Sequence, residues 1–487
     1  MRFLRLTISI LTFLLFNGCN SNGEDPDKNP KPDPDPELSL VTIDVDNTTQ
    51  YQTIDGFGFF GAYDVWWGSN MWNDSWGDKV ISDLGITIWR NEYFPPATPT
   101  ASQDADWAKQ KPVVEGLKAK ADQYGVDLKF IFTVWSPPAD MKWECDFSWA
   151  GDENATRYPG EVSTKNGGTL NPNMYGDYAN WLIQGIQLYK DIGVDIYAIS
   201  LQNEPLFSQF FNSCTYTVDW YNELLVNVVP DIKASFSGVK IFGSENMLHM
   251  EGKEENWPWF YHEAIKSDPA ASNNIDILAV HGYHDGVVAS SGSELAKMWT
   301  NHTEQFTVPM NKKVWMTETS GYTDQWLETG GTPGALNLAM DIYSGLEYGN
   351  INAWVWWQGS ELDGIGEYNL MKGATGGKKY YVSKQFYRYI RPGAIRIKTS
   401  SDDGSIFAIA FMHETNGTMT IIVINSSADD KYLTFGGEGL PSSFSLYQTT
   451  SGTDNCTQTG TANPGAGNKF IVPALSIITL QAGGDPL

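Results

Sequence analysis

From Thr53 onward, short apolar runs alternate with longer amphipathic stretches. The runs are Thr53–Phe60, Ile86–Tyr93, Leu128–Ser136, Ile196–Glu204, Val239–Asn246, Ile277–Tyr283, Lys312–Glu318 and Ile351–Trp357. Each is rich in β-branched or aromatic residues and nearly continuous in apolar character. That is the pattern of parallel strands buried on both faces. Between them the period changes to that of helices. In Asn173–Ile192, residues Tyr175, Tyr178, Leu182, Ile186 and Tyr189 recur at three- and four-residue spacing, with Pro172 near the start and Gly193 at the close. Further helices are predicted near Trp107–Tyr124, Thr217–Ala234, Ser293–Phe306 and Pro333–Tyr348. Strands alternating with helices in this way predict an α/β fold, a (β/α)8 TIM barrel, over residues 53–390.

The pattern changes after Arg391-Pro392-Gly393. Ile395–Ile397, Ile406–Met412, Met419–Ile424, Tyr432–Phe435, Phe444–Gln448, Lys469–Val472 and Ile477–Gln481 are short strands separated by turn signals. Residues 391–487 therefore read as an appended all-β side sandwich. The run Leu38–Val45, within residues 38–52 ahead of the barrel, is expected to join it, so that both ends of the chain build the sandwich.

The N-terminus reads differently again. Arg2 and Arg5 precede an apolar run from Leu6 to Phe16, followed by Asn17-Gly18-Cys19. This run is too short to span a bilayer and has the layout of a signal peptide. The Gly18-Cys19 step resembles a bacterial lipoprotein cleavage site, so residues 1–19 are expected to direct export and Cys19 to carry lipid. Ordinary secretion is the alternative. Residues 20–37 hold five prolines and six acidic residues without apolar periodicity, an extended tether. The expected location is the outer membrane or cell surface, with membrane contact only through the lipid. A monomer is expected.

The net charge of −26 changes the picture of partners. Nucleic acid needs a basic footprint, and none is visible. A polyanion would be repelled at long range. Aromatic residues make up 13% of the chain, including 19 Trp, and such faces stack on sugar rings. Of the four cysteines, Cys145 and Cys214 follow strands that end on one barrel face and are expected to form a disulfide. No Cys/His pattern suggests zinc. His281 and His284 sit three apart, which on a strand puts them on opposite faces, so no metal site and no cofactor are expected.

In a barrel of this kind the functional side chains stand at the C-terminal ends of the strands. Those ends supply Arg90, Trp135, Asn203, Glu204, His281, Tyr283, Glu318 and Trp357. A glutamate at a strand end is often a plain surface charge. Here Glu204 and Glu318 close two buried strands at the face where the loops converge. Glycoside hydrolysis needs such a pair, one acid to protonate the leaving oxygen and one carboxylate to attack the anomeric carbon, about 5–5.5 Å apart in retaining enzymes. Asn203 is placed to bond a sugar 2-hydroxyl, and Tyr283 and Arg90 to bond and charge-pair with Glu318. Trp66, Trp67, Trp72 and Trp76 follow the first strand. Core packing accounts for some of them, and a sugar platform is expected of at least one, Trp67 foremost.

Several motifs sharpen this reading. They are Asp55-Gly56-Phe57-Gly58, Trp135-Ser136-Pro137-Pro138 with Met141-Lys142, Asn166-Gly167-Gly168-Thr169-Leu170, Ile199-Ser200-Leu201-Gln202-Asn203-Glu204-Pro205, His281-Gly282-Tyr283, Trp315-Met316-Thr317-Glu318 and Arg391-Pro392-Gly393. In this order the set resembles glycoside hydrolase family 30, from about Thr53 to Leu480. The resemblance implies a retaining hydrolase of β-linked polysaccharide, with Glu204 as acid/base and Glu318 as nucleophile. The run Ala353-Trp354-Val355-Trp356-Trp357 is most similar to the xylanase branch. Phe59-Phe60 before Gly61 departs from that family's usual Gly-Phe-Gly-Gly. Glucuronoxylan-specific members use an arginine after strand eight, and no Arg occurs between Trp357 and Arg388. The expectation is an endo-β-1,4-xylanase that does not require glucuronate branches. A β-1,6-glucanase or galactanase is the alternative enzyme, and a catalytically dead glycan-binding surface protein the alternative class.

Overall fold

Eight parallel strands close into a barrel in this computed structural model, which describes residues 38–61, 72–96, 104–253, 259–283, 285–465, 468–484 and 487. The strands are β1 (Gly56–Phe60), β2 (Ile88–Glu92), β3 (Lys129–Thr133), β4 (Ile196–Ser200), β5 (Lys240–Met247), β6 (Ile277–Gly282), β7 (Lys313–Thr319) and β8 (Ala353–Trp357). β8 pairs with β1 from Ala353 opposite Gly56 to Trp357 opposite Phe60, which completes the ring. Nearly every strand residue is buried, because the barrel interior lies on one side and the helices on the other.

The glycines of β1 have a steric cause. A Cβ on Gly58 would stand 1.8 Å from the Ile88 carbonyl oxygen, so only glycine lets β1 and β2 approach this closely. Phe59 and Phe60 face opposite ways. Phe59 packs edge-on against Trp76 and Trp89, while Phe60 stacks on Trp357 with centroids 4.3 Å apart.

The helix Tyr175–Lys190 buries Tyr178, Leu182, Ile186 and Tyr189, the periodic face read from sequence, together with Trp181. Gly193 ends it at φ 77°, a conformation that glycine adopts without strain. The stretch near Thr217–Ala234 divides into Val218–Asn227 and Val229–Ser235, since Pro230 cannot continue the hydrogen-bond ladder.

The second sheet has nine strands, and Leu40–Thr53 lies inside it, antiparallel to Ile395–Ser401 and parallel to Lys431–Gly436. Its two ends fold over one another. Phe435 and Phe444 lie on strands separated by five others in sheet order, yet their rings are 6.4 Å apart. A flat sheet would hold those strands well over 20 Å apart at about 4.8 Å per strand. The sheet is thus a sandwich with its own core, including Val41, Ile421, Val423 and Leu480. Alternate residues Ile422 and Ile424 face the barrel's core instead. Trp326 Nε1 donates to the Leu475 carbonyl and Thr479 Oγ1 to that of Gln385, fastening the two layers.

One expectation needs correction. Cys145 and Cys214 are free thiols, as is Cys456. Cys145 lies 3.5 Å from Thr215 Oγ1, whereas Cys214 turns to the Tyr216 hydroxyl at 3.3 Å, so each sulfur is directed to its own partner. Trp72 and Trp76 are packing residues, the core share expected of the four tryptophans after the first barrel strand. Trp76 is buried with its Nε1 on Ser360 Oγ, and Trp72 lies against Gly77 and Gly116. Trp66, Trp67 and His284 fall outside the described residues, as do residues 1–37.

Candidate active site

The C-terminal ends of the strands converge on one buried arginine. Arg90, on β2, is fully buried. Its Nη1 donates to Glu318 Oε2 at 2.6 Å, its Nη2 to Asn203 Oδ1 and Glu245 Oε1 at 2.9 Å each, and its Nε to Thr133 Oγ1 at 3.2 Å. The guanidinium also faces the Trp135 and Phe60 rings, 5.0 and 5.5 Å from their centroids. An ion taken this far from water needs such partners on every side.

Glu318, on β7, also accepts from the Tyr283 hydroxyl at 2.6 Å. Glu204 stands beyond β4, at φ 42°, and shares a 2.9 Å hydrogen bond with His281 Nδ1. Glu245, on β5, has φ 61° and lies 3.4 Å from His281 Nε2. Two non-glycine residues in the left-handed region beside one cluster are costly conformations, each about 1–3 kcal/mol, that the surroundings must impose.

The cluster sets two cations, Arg90 and His281, against three carboxyls. Burial alone would push the His281 imidazole down, but Glu318, Glu204 and Glu245 around it raise it to about 9. Burial in turn raises Glu204 above the usual carboxylate range, with the Glu318 charge adding and the His281 bond opposing. Burial pushes Glu245 the same way, yet Arg90 and His281 outweigh it and hold that carboxyl low. Of Glu204 and Glu245, burial thus favours the protonated form at Glu204 and the paired cations favour the ionised form at Glu245.

One oxygen of Glu204, one of Glu318 and a His281 nitrogen lie within 4.8 Å of one another. Those atoms could in principle surround a metal ion. Each is instead engaged by Arg90, Tyr283 or its neighbour, and the positive charge an ion would bring is already supplied by Arg90.

The aromatic expectations divide. Trp135 and Trp357, centroids 6.0 Å apart, line a cavity of about 610 Å³ with Asn203, Glu204 and Glu318. Asn203, Arg90, His281 and Tyr283 all join the cluster. Sequence reading missed Glu245 and Glu92. Both sit inside apolar runs taken as strands, and an acid near the C-terminal end of such a run was the signal available. Glu92 closes β2, lines the same cavity and accepts from Asn212 Nδ2 at 3.1 Å. Burial pushes its carboxyl up to about 8.

Residues 103–386 match the model described as the Glycosyl hydrolase family 30 TIM-barrel domain. The chain belongs to this family. It is similar to Glucuronoxylanase XynC of Bacillus subtilis (strain 168), at 26% identity over 361 residues, 71% of this chain and 72% of that one. It is also similar to Endo-1,6-beta-D-glucanase neg1 of Aspergillus fumigatus, at 25% over 333 residues, 63% of this chain and 61% of that one. A family 30 subfamily 8 xylanase, Xyn30A from Clostridium acetobutylicum, superposes with a TM-score of 0.70 at 21% identity, covering 91% of this chain and 98% of the other. That likeness bears on the fold. As a member of this family the protein is a glycoside hydrolase.

Proposed function

We propose that the protein is a retaining β-glycan hydrolase with Glu204 as acid/base and Glu318 as nucleophile. The observation that carries this reading is the approach of the two carboxyls, whose nearer oxygens lie within 4.8 Å. Inverting enzymes hold the pair about 6.5–9.5 Å apart to seat a water between carboxylate and sugar. In the reading proposed, Glu204 donates its proton to the glycosidic oxygen while Glu318 attacks the anomeric carbon to form a glycosyl ester. Glu204 then takes a proton from the water that cleaves that ester. Arg90 occupies the Asn203 Oδ1, which leaves the amide hydrogens for a sugar hydroxyl. Trp135 and Trp357 offer the sugar an aromatic wall.

The substrate we assign is the β-1,4-xylan backbone, without need of glucuronate. Its support is the Trp-rich β8, the likeness to a glucuronoxylanase, and the acidic segment Glu361, Asp363 and Glu367 where a bidentate arginine would be required. Lys165 is the cation that lines the Glu318 cavity among the described residues, and it is a single exposed ammonium. The Aspergillus relative favours a second reading, β-1,6-glucan. Reducing-sugar release from glucuronoxylan, uronate-stripped xylan, arabinoxylan and β-1,6-glucan separates them. Xylan should be cut at least as fast after stripping. A collapse on stripped polymer would refute the charge argument, release from β-1,6-glucan alone would select the second reading, and binding without release would indicate a dead barrel.

We also propose that the chain is exported and anchored by lipid on Cys19. Mass spectrometry of the N-terminal peptide from the native host should find acyl chains there, and an unmodified, fully soluble protein would favour ordinary secretion.

A further inference from the structure

The loop that follows Glu204 carries an exposed pair of aromatic rings. Phe210 is 81% exposed and Phe211 41%, and they meet edge-on with centroids 5.1 Å apart. One exposed apolar side chain is ordinary on a protein surface. Two adjacent phenylalanines at the rim of a catalytic cavity form a patch of the kind that marks a binding surface.

The backbone on either side of the pair is held in place. Ser213 is buried, and its Oγ donates to the Gln209 carbonyl at 3.1 Å. The same oxygen accepts from the backbone N–H groups of Gln209 at 2.9 Å and Gly167 at 3.0 Å. One hydroxyl can make no more bonds than these. The Gln209 carbonyl also accepts from the Asn166 N–H at 2.7 Å, and the Ser213 N–H donates to the Thr164 carbonyl at 2.9 Å. Asn212 forms a β-bridge with Lys165, and its Nδ2 donates to Glu92. A ring fixed before binding does not have to be ordered by the ligand, which lowers the entropic cost of contact.

The place of the pair indicates the occupant. Phe211 lines the cavity of about 610 Å³ that holds Glu204 and Glu318, as do Asn212 and Glu92. Phe210 stands outside that lining and touches Phe211. Aromatic surface thus runs from the wall of the catalytic cavity out to solvent. A polymer cut at the two glutamates fills that cavity and continues past its rim, where the apolar face of a sugar ring can lie on an aromatic one. A protein or lipid surface has no such reason to share a wall with the catalytic pair.

We propose that Phe210 and Phe211 form a remote subsite, a platform for a sugar unit of the bound polymer outside the catalytic cavity, so that long chains are bound and cut in preference to short ones. The proposal rests on the hydrolase reading above but not on which glutamate donates the proton.

The test compares Phe210→Ala and Phe210→Trp with wild type on xylohexaose and on 4-nitrophenyl β-xylobioside. Gentiohexaose and the matching aryl gentiobioside replace them if β-1,6-glucan is the polymer cut. The ratio of kcat/KM on the hexasaccharide to kcat/KM on the aryl glycoside should fall about tenfold in Phe210→Ala, the order expected when roughly 60 Å² of apolar ring loses its cover. Phe210→Trp keeps an aromatic face and should stay within about threefold of wild type or exceed it. An unmoved ratio in Phe210→Ala, or a loss in Phe210→Trp as large as in Phe210→Ala, would overturn the proposal. Calorimetry reads the platform without turnover. In a Glu318→Gln background, Phe210→Ala should weaken hexasaccharide binding about tenfold. Equal binding would also overturn it. Wild type that cuts no glycan while Phe210→Ala still weakens hexasaccharide binding would keep the platform and remove the hydrolase reading. Active wild type with an indifferent Phe210 would remove the platform alone.

Discussion

Arg90 Nη1 lies 2.6 Å from Glu318 Oε2, although β2 and β7 place the two residues 228 positions apart in the chain. The same guanidinium reaches Glu245 on β5 and Asn203 after β4. One buried cation thus sets the positions of groups from three other parts of the barrel, and the chemistry of the site depends on it.

Replacing Arg90 by Met should leave buried Glu245 and Glu318, and Glu204 beside them, with His281 as their one cation among the described residues. The expected loss is about 3–5 kcal/mol of stability, together with activity. Adding Glu245→Gln to Arg90→Met should recover part of the stability and none of the activity. Thermal unfolding of the three proteins checks this. A wild-type melting temperature for Arg90→Met would show that the network bears no weight.

Glu318→Gln should lower turnover by about 10⁴-fold or more, as loss of a nucleophile does, while oligosaccharide binding by calorimetry persists. Glu204→Ala should cripple hydrolysis of natural glycosides far more than that of 4-nitrophenyl glycosides, whose leaving group needs little protonation. Equal losses on both substrates would remove Glu204 from the acid role.

Stability should fall as pH rises from 6.5 to 8. His281 is raised to about 9 and Glu92 to about 8, and Glu251 and Asp341 are pushed to about 7, all by their folded surroundings. In this window the folded chain holds more protons than the unfolded one, so stability is lost at about 1.4 kcal/mol per pH unit for each full proton. His262, held down at about 3, and His302, held well below the usual imidazole range, are neutral when folded. Their unfolded imidazoles still release protons near pH 6.5, so they offset a small part of the fall at the start of the window and almost none by pH 8. Lys379, pushed down to about 8 by burial, opposes the trend only above that pH. Chemical denaturation at pH 6.5, 7.2 and 8 measures the slope, and a rising stability would contradict these assignments.

The three described cysteines should react as thiols, Cys145 first because it is only part-buried. Alkylation without reductant, followed by peptide mass spectrometry, should label Cys145 natively and Cys214 and Cys456 only after unfolding. A Cys145–Cys214 linked peptide would restore the bridge read from sequence.

The barrel was legible because strands covered on both faces leave continuous apolar runs, and Ile277–Gly282 is buried at every position. Glu204 and Glu318 were legible because each ends such a run and carries a distinctive motif. Glu245 was not, because its role depends on Arg90 and His281, 155 and 36 positions away. Sequence spacing holds no trace of a pairing across a barrel. Which of the tryptophans after the first strand pack inward was not legible either, for a different reason. An indole serves a sugar or a core equally well, and what draws Trp72 inward is the space left by Gly77 and Gly116, visible only once the helices are packed. The cysteines show the same limit, since shared location at the barrel's end says nothing of where each sulfur points.

The central claim is that Glu318 attacks the sugar directly. Proton NMR of the first product released from a β-linked oligosaccharide tests it, read before mutarotation. The account predicts that the β-anomer appears first and the α-anomer only later. An α-anomer as the initial product would mean that water, not Glu318, performs the displacement.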